Sequence, residues 1–322
     1  MNGKTPDLVA LRKKTEQLRY NLIAMMDYAG SGHPGGSLSV LEIMTSLYYD
    51  GFFKVDAKNP QDPDRDRFVI SKGHASPTQY VILADLGYYG KDKLRVFDKN
   101  NSMLPKHCNR KLTPGVDAST GALGQGMSMA VGMALAARAD DAKYHTYCVL
   151  GDGECQPGEI WEAAMSAAKY KLGNLKVIVD NNRLQIDGFS DDIMPLGDQR
   201  AKWSAFGWHV EVCDGHNLEE LRNAFTKMEA VTDKPSVLIA NTVKGNGVSF
   251  MENEADWHSR KMTHAEGAEA LAEIAAAYEK MGFGEIESSI MFLDAQELTG
   301  KAWPAAAACS TSAKTSKRSA SR

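Results

Sequence analysis

The stretch from Tyr144 to Asn182 constrains the fold more than any other part of this 322-residue chain. Tyr144-His145-Thr146-Tyr147-Cys148-Val149-Leu150 is a short apolar run that stops at Gly151-Asp152-Gly153, and such a run reads as a buried strand. From Glu159 to Leu172 the pattern changes, and Ile160, Ala163, Ala164, Ala167, Ala168 and Leu172 recur at helical spacing. Leu175-Lys176-Val177-Ile178-Val179 is a second strand that delivers Asp180-Asn181-Asn182 at its end. Two strands joined by one helix of this length lie parallel, with a right-handed crossover. The expectation is an α/β fold, a parallel sheet flanked by helices on both faces. Asp152 and Asn182 then stand at the carboxyl ends of parallel strands, where open sheets bind ligands.

Those residue types suit a metal that holds a diphosphate. Mg²⁺ takes about six oxygen ligands at roughly 2.0–2.1 Å, with only one or two carboxylates among them. Asp152 offers a carboxylate, Asn182 an amide oxygen and Leu184 a backbone carbonyl, which leaves room for phosphate oxygens and water. Gly151 and Gly153 let the backbone approach phosphates closely. The following helix is expected to turn its free N–H groups toward the anion. Gly-Asp-Gly alone reads better as an ordinary strand-to-helix turn. The second strand, ending in Asn181-Asn182 one helix further on, selects the binding reading.

Elsewhere, a helix is predicted from Asp7 to Tyr28 with Gly30 ending it, and a second from Ser37 to Tyr49. Phe68-Val69-Ile70 is a short strand leading to Lys72-Gly73-His74. Leu123 to Ala139 is a helix of small residues suited to close packing. Trp208 to Val212, Leu218 to Met228 and Ser236 to Ala240 form another strand–helix–strand unit, and a last helix runs from Ala265 to Met281. No linker interrupts this alternation before residue 295, so residues 1–300 are expected to be one domain.

Hydrophobic content of 43% and charged content of 24% describe a globular chain. The formal net charge of −4 argues against a nucleic-acid surface. Lys301, Lys314, Lys317, Arg318 and Arg322 leave −9 on residues 1–300, and residues 301–322 read as a basic, disordered tail. The five cysteines have no CxxC spacing, which excludes a zinc ribbon or disulfide framework. No apolar signal core or 18-residue apolar run is present, so the expected compartment is the cytoplasm, with no membrane partner.

The segment Gly151 to Gly188 resembles the thiamine diphosphate fingerprint in the form that transketolases carry. Ser31-Gly32-His33-Pro34-Gly35-Gly36, Asp66 through Ser76 with His74, Pro114 through Gly126, and Trp257-His258 resemble further motifs of that family, in order, over residues 8 to 290. The resemblance implies a thiamine diphosphate-binding fold with thiamine diphosphate and Mg²⁺ as cofactors. It implies Asp152, Asn182 and Leu184 as metal ligands. His74, Gly121, Leu123, Gly153, Glu162, Asn182, Ile186 and Lys244 would contact the cofactor. His33, His107 and His258 would face the reacting sugar, where a side chain titrating near neutrality donates or accepts protons readily. Lys106 to Lys111, around His107, departs from the family's Gly-His-Pro wording. His145 and His209 read as structural, and His216 and His264 as loop or cap residues.

Transketolases are usually about twice this length, and their activating glutamate lies in a second, pyrimidine-binding domain. The resemblance therefore implies an N-terminal subunit of a split transketolase. It would pair with a C-terminal subunit, two copies of each, and transfer two-carbon ketol units between sugar phosphates. Alternatives are a subunit specific for an unusual sugar such as apulose 4-phosphate, a 2-oxo acid dehydrogenase subunit, or a non-catalytic regulatory subunit.

Overall fold

Five strands carry the β-branched and aromatic runs: β1 (Arg67–Ile70), β2 (Thr146–Gly151), β3 (Leu175–Asn181), β4 (His209–Asp214) and β5 (Ser236–Asn241). In this computed structural model, which describes residues 7–286, they pair in the order β1-β2-β3-β5-β4, every pair parallel. The register sets Gly151 opposite Asp180 and Asn181 opposite Asn241, so the polar ends of β2, β3 and β5 gather at one edge of the sheet. β3 runs two residues further than its apolar stretch: the ladder to β5 continues through Asp180 and Asn181, and the Asn181 side-chain amide also donates to Asn241 at 2.8 Å.

The helices are α1 (Leu8–Ala29), α2 (Pro34–Ser39), α3 (Leu41–Tyr49), α4 (Ser76–Leu86), α5 (Gln125–Ala139), α6 (Gly158–Lys169), α7 (Ser190–Ile193), α8 (Gln199–Ala205), α9 (Leu218–Glu229) and α10 (His264–Lys280). The ends of α1 follow the sequence signals. Asp7 accepts from the Val9 N–H, and Gly30, at φ +61°, returns its N–H to the Asp27 and Met26 carbonyls.

Alternation along the strands sorts the core into two layers. Val177 and Val179 of β3 join Cys148 and Leu150 of β2 against Met127, Ala130, Ile160, Ala164 and Trp203, from α5, α6 and α8. On the opposite face Tyr147 meets Phe53, and Phe53 meets Tyr48 and Phe68, in edge-on ring contacts; the Tyr147 hydroxyl donates to Glu229 of α9. Helices therefore cover both faces of the parallel sheet, as expected.

Two expectations are corrected. Ser37 to Tyr49 is not one helix but two, α2 and α3, meeting at Val40. Ser39 explains the break. Its hydroxyl bonds back to the Gly36 carbonyl and across to Asp180 at 2.6 Å, so α2 docks onto the end of β3. The small-residue helix likewise starts at Gln125, not Leu123, after Gly124 at φ +92°. The described residues belong to one compact unit, and the basic tail of residues 301–322 lies outside them.

Candidate active site

A cavity of about 240 Å³ opens at the carboxyl ends of β2 and β3, lined by Asp152, Gly153, Asn182, Leu184, Ile186, Leu123, Lys244, His74 and His258. A short 3-10 turn over Gly153–Cys155 separates Asp152 from α6, which begins only at Gly158. The expected helix N-terminus is therefore set back from the Gly-Asp-Gly turn. Asp152 is buried, and one of its oxygens accepts from the Ser190 hydroxyl at 2.7 Å. Burial pushes this carboxyl above the usual range, the Ser190 bond opposes that, and the Asp180 charge adds to it. The Asn182 amide oxygen accepts the Leu184 N–H at 3.1 Å. The Leu184 carbonyl accepts from the Lys244 ammonium at 2.8 Å.

The three expected metal ligands thus line one cavity and offer one carboxylate, one amide oxygen and one carbonyl. Among the described residues no cluster of three or more His, Cys, Asp or Glu side chains could hold a metal. A hard cation that completes its shell with phosphate oxygens and water fits this donor set; a transition metal sequestered by the protein alone does not. Leu123 and Ile186 are 45% and 63% exposed, apolar side chains left uncovered at the cavity.

Four histidines converge beside this cavity. His74 and His258 have ring centroids 4.9 Å apart, and His33 lies 5.5 Å from His74, 5.5 Å from His107 and 5.6 Å from His258. Burial lowers all four. His33 falls to about 4, with His107 and Lys106 adding to the effect, and His258 to about 3, with Lys244 adding. His74 is held well below the usual range by burial and by Lys72, and His107 is lowered by burial and Lys106. At neutral pH the cluster is uncharged, so each ring carries one N–H and one lone pair. Nδ1 of His33 is buried and has no hydrogen-bond partner among the described residues. The Lys244 ammonium, which can only donate, faces Nδ1 of His258 at 3.0 Å, so the His258 proton sits on Nε2. Burial also lowers Lys244, to about 8, which leaves it mainly cationic at neutral pH.

Two other expected residues lie apart from the cavity wall. Gly121 adjoins the His107 ring, and Glu162 is exposed on α6, outside the lining residues.

Sequence reasoning missed the buried carboxylates beneath the site. Asp180 accepts from Lys72, Ser39, Thr242 and, at 3.4 Å, the Asn182 amide, tying the segments that follow β1 and β5 to α2 and β3. Lys72 also donates to the Gly36 carbonyl at 3.0 Å. Burial would raise Asp180, but Lys72 and the hydroxyl donors hold it below the usual range. Glu154, the next residue after Gly-Asp-Gly, accepts from Ser71 and from the N–H groups of Gly124 and Gly151. It binds the glycine turn to the segment that carries Leu123. The only sequence signals were charges set within apolar or glycine-rich runs.

The family described as "Transketolase, thiamine diphosphate binding domain" matches residues 12–307. The chain is similar to the 6-deoxy-6-sulfo-D-fructose transketolase subunit SqwG of Clostridium sp. (strain MSTE9), 42% identical over 266 residues that span 83% of this chain and 96% of that one. It is also similar to one of the subunits of the apulose-4-phosphate transketolase of Phocaeicola vulgatus, 41% identical over 84% of this chain and 96% of the relative. Human transketolase is 39% identical over 83% of this chain, which spans 42% of the human protein. Among solved structures, transketolase from Campylobacter jejuni superposes with a TM-score of 0.79 at 32% identity, over 91% of this chain and 47% of that one.

Proposed function

This chain belongs to the transketolase family, and we propose that it is the diphosphate-anchoring subunit of a split, thiamine diphosphate-dependent transketolase. It acts with a separate subunit carrying the pyrimidine-binding and C-terminal domains. The observation that carries this reading is the meeting of Asp152, Asn182, the Leu184 carbonyl, Lys244, His74 and His258 at one cavity. When bound, thiamine diphosphate supplies the carbon nucleophile that takes a two-carbon unit from a ketose phosphate and passes it to an aldose phosphate.

The chain's own residues anchor, orient and handle protons. Asp152, Asn182 and the Leu184 carbonyl would hold Mg²⁺. Lys244 and His74 would meet the diphosphate, and Leu123 and Ile186 would give the cofactor's rings an apolar wall. His33, through its unpartnered Nδ1, and His258, through its Nε2–H, exchange hydrogen bonds and protons with sugar hydroxyls, with His107 beside them. Neutral rings suit this work, since none must shed a charge before it accepts a proton.

One observation supports a partner. Met129, Met165 and Tyr170 on α5, α6 and the turn after α6 are exposed, as are Ile186 and Phe189 in the loop after β3, an apolar display suited to another chain. Two copies of each subunit would assemble in the cytoplasm; among the described residues no helix is long and apolar enough to cross a membrane.

A second reading, that the donor is an unusual ketose, is favoured by the relatives named for 6-deoxy-6-sulfo-D-fructose and apulose 4-phosphate. The anchoring role is tested by titrating thiamine diphosphate into the chain with Mg²⁺ and with EDTA. Binding that needs the metal and is lost in Asn182→Ala supports it; equal binding in all three conditions rejects it.

A further inference from the structure

We propose that His216 is a positioning residue for this site: oriented by the buried Glu42 carboxylate, it fixes the Val243–Gly247 loop that carries Lys244 into the cavity. The inference rests on the reading of the cavity as a diphosphate site. The Val243 N–H points at Nε2 of His216 at 2.8 Å. A backbone N–H can only donate, so Nε2 is the lone pair, and Nδ1 carries the proton that it donates to Glu42 at 3.1 Å. Both ring nitrogens are therefore committed within the protein, and neither is left for substrate.

Glu42 is fully buried on α3. Burial alone would raise its carboxyl, but Arg19, His216 and Arg12 hold it down to about 2. The same carboxylate accepts from the side chains of Arg19 and, at 3.1 Å, Asn246. Arg12 takes the His216 carbonyl at 2.8 Å and Arg19 takes the Asn246 carbonyl at 2.5 Å. The loop is thus gripped at both ends by one network on α1 and α3, at Val243 through His216 and at Asn246 directly. Gly247, at φ +88°, passes so near the Arg19 guanidinium that a Cβ there would stand 2.7 Å from it. Between the two grips Lys244 is buried and reaches the Leu184 carbonyl and His258. The backbone that carries this ammonium is placed by the two grips, together with the Gly245 N–H on the Gly35 carbonyl and the Asn253 N–H on the Lys244 carbonyl, so releasing the His216 grip shifts the charge relative to the diphosphate.

The test compares the full-length wild type with His216→Asn, His216→Gln, Lys244→Met and the His216→Asn/Lys244→Met double variant. The probe is thiamine diphosphate with Mg²⁺, read by calorimetry, with Tm recorded for each protein. Asn keeps a donor near Nδ1 for Glu42 but cannot reach Val243, whereas the Gln side-chain oxygen can accept the Val243 N–H. The expected result is a loss of about tenfold in affinity for His216→Asn, substantial recovery in His216→Gln, and a double variant no weaker than Lys244→Met alone. Wild-type affinity in His216→Asn, equal loss in the Asn and Gln variants, or additive losses in the double variant would overturn the proposal. A wild type that binds no thiamine diphosphate would instead remove the cavity assignment, and this proposal with it.

Discussion

Asp152→Asn should separate the two roles of the carboxylate by the sign of its effects. In the chain without ligand, burial and the nearby Asp180 charge hold the Asp152 carboxyl above its usual range. The folded state therefore disfavours the ionised form that prevails at pH 7. An amide of the same shape removes that penalty and can still accept the Ser190 hydroxyl, so the Tm without ligand should stay level or rise. With ligand the sign reverses. Ligand at 100 times its Kd stabilises the wild type by about 2.7 kcal/mol. At roughly 2–4 °C per kcal/mol for a domain of this size, that is a rise of about 5–11 °C in the wild type. Removing the one charged metal ligand should abolish most of this rise. Differential scanning fluorimetry with and without Mg²⁺ and thiamine diphosphate reads both effects in one experiment. A variant that keeps the full ligand-induced rise would refute the assignment of Asp152 to the metal. A fall of several degrees without ligand would refute the electrostatic argument.

Other outcomes follow from the same geometry. The pKa values of His33 and His258 are depressed to about 4 and about 3, so as pH falls below roughly 6.5 the unfolded chain takes up protons that the folded chain refuses. Tm should therefore decline from about pH 6.5 toward pH 4, less steeply in His33→Asn; identical profiles would contradict the neutral cluster. In ketol-transfer assays with the partner subunit, His33→Asn should lower kcat by roughly 10²–10⁴ while the Kd for thiamine diphosphate stays unchanged; a weakened Kd with normal kcat would move His33 out of the sugar site. Gly173→Ala should destabilise the chain by about 1–3 kcal/mol in chemical denaturation, because its Cβ would overlap the Thr232 carbonyl; an unchanged midpoint would show that the loop yields.

The elements were legible in the sequence where one physical preference dominated. The apolar β-branched runs and the small-residue helical spacing around Gly-Asp-Gly announced β2, α6 and β3, and the caps at Asp7 and Gly30 announced α1. The break at Val40 was hidden, because it depends on Ser39 reaching Asp180, far along the chain. Buried charges were hidden for the same reason. Lys72, Asp180 and Glu154 read as polar residues, and only tertiary structure brings them the partners that make burial tolerable. Asp152, Asn182, His74 and His258 stood out because their chemistry is written locally, in loops at strand and helix ends, and the fold brings all four to one cavity. His216 read as a loop histidine; its two committed nitrogens appear only when α3 and the loop after β5 are both in place.

The central claim is that this chain anchors the cofactor and that another chain switches it on. The direct measurement is ketol transfer from a ketose phosphate to an aldose phosphate, with thiamine diphosphate and Mg²⁺, by the purified chain alone and after addition of a pyrimidine-binding subunit. The expected result is negligible transfer by the chain alone and robust transfer by the mixture, lost again when Asp152→Asn replaces the wild type. Robust transfer by the chain alone would contradict it.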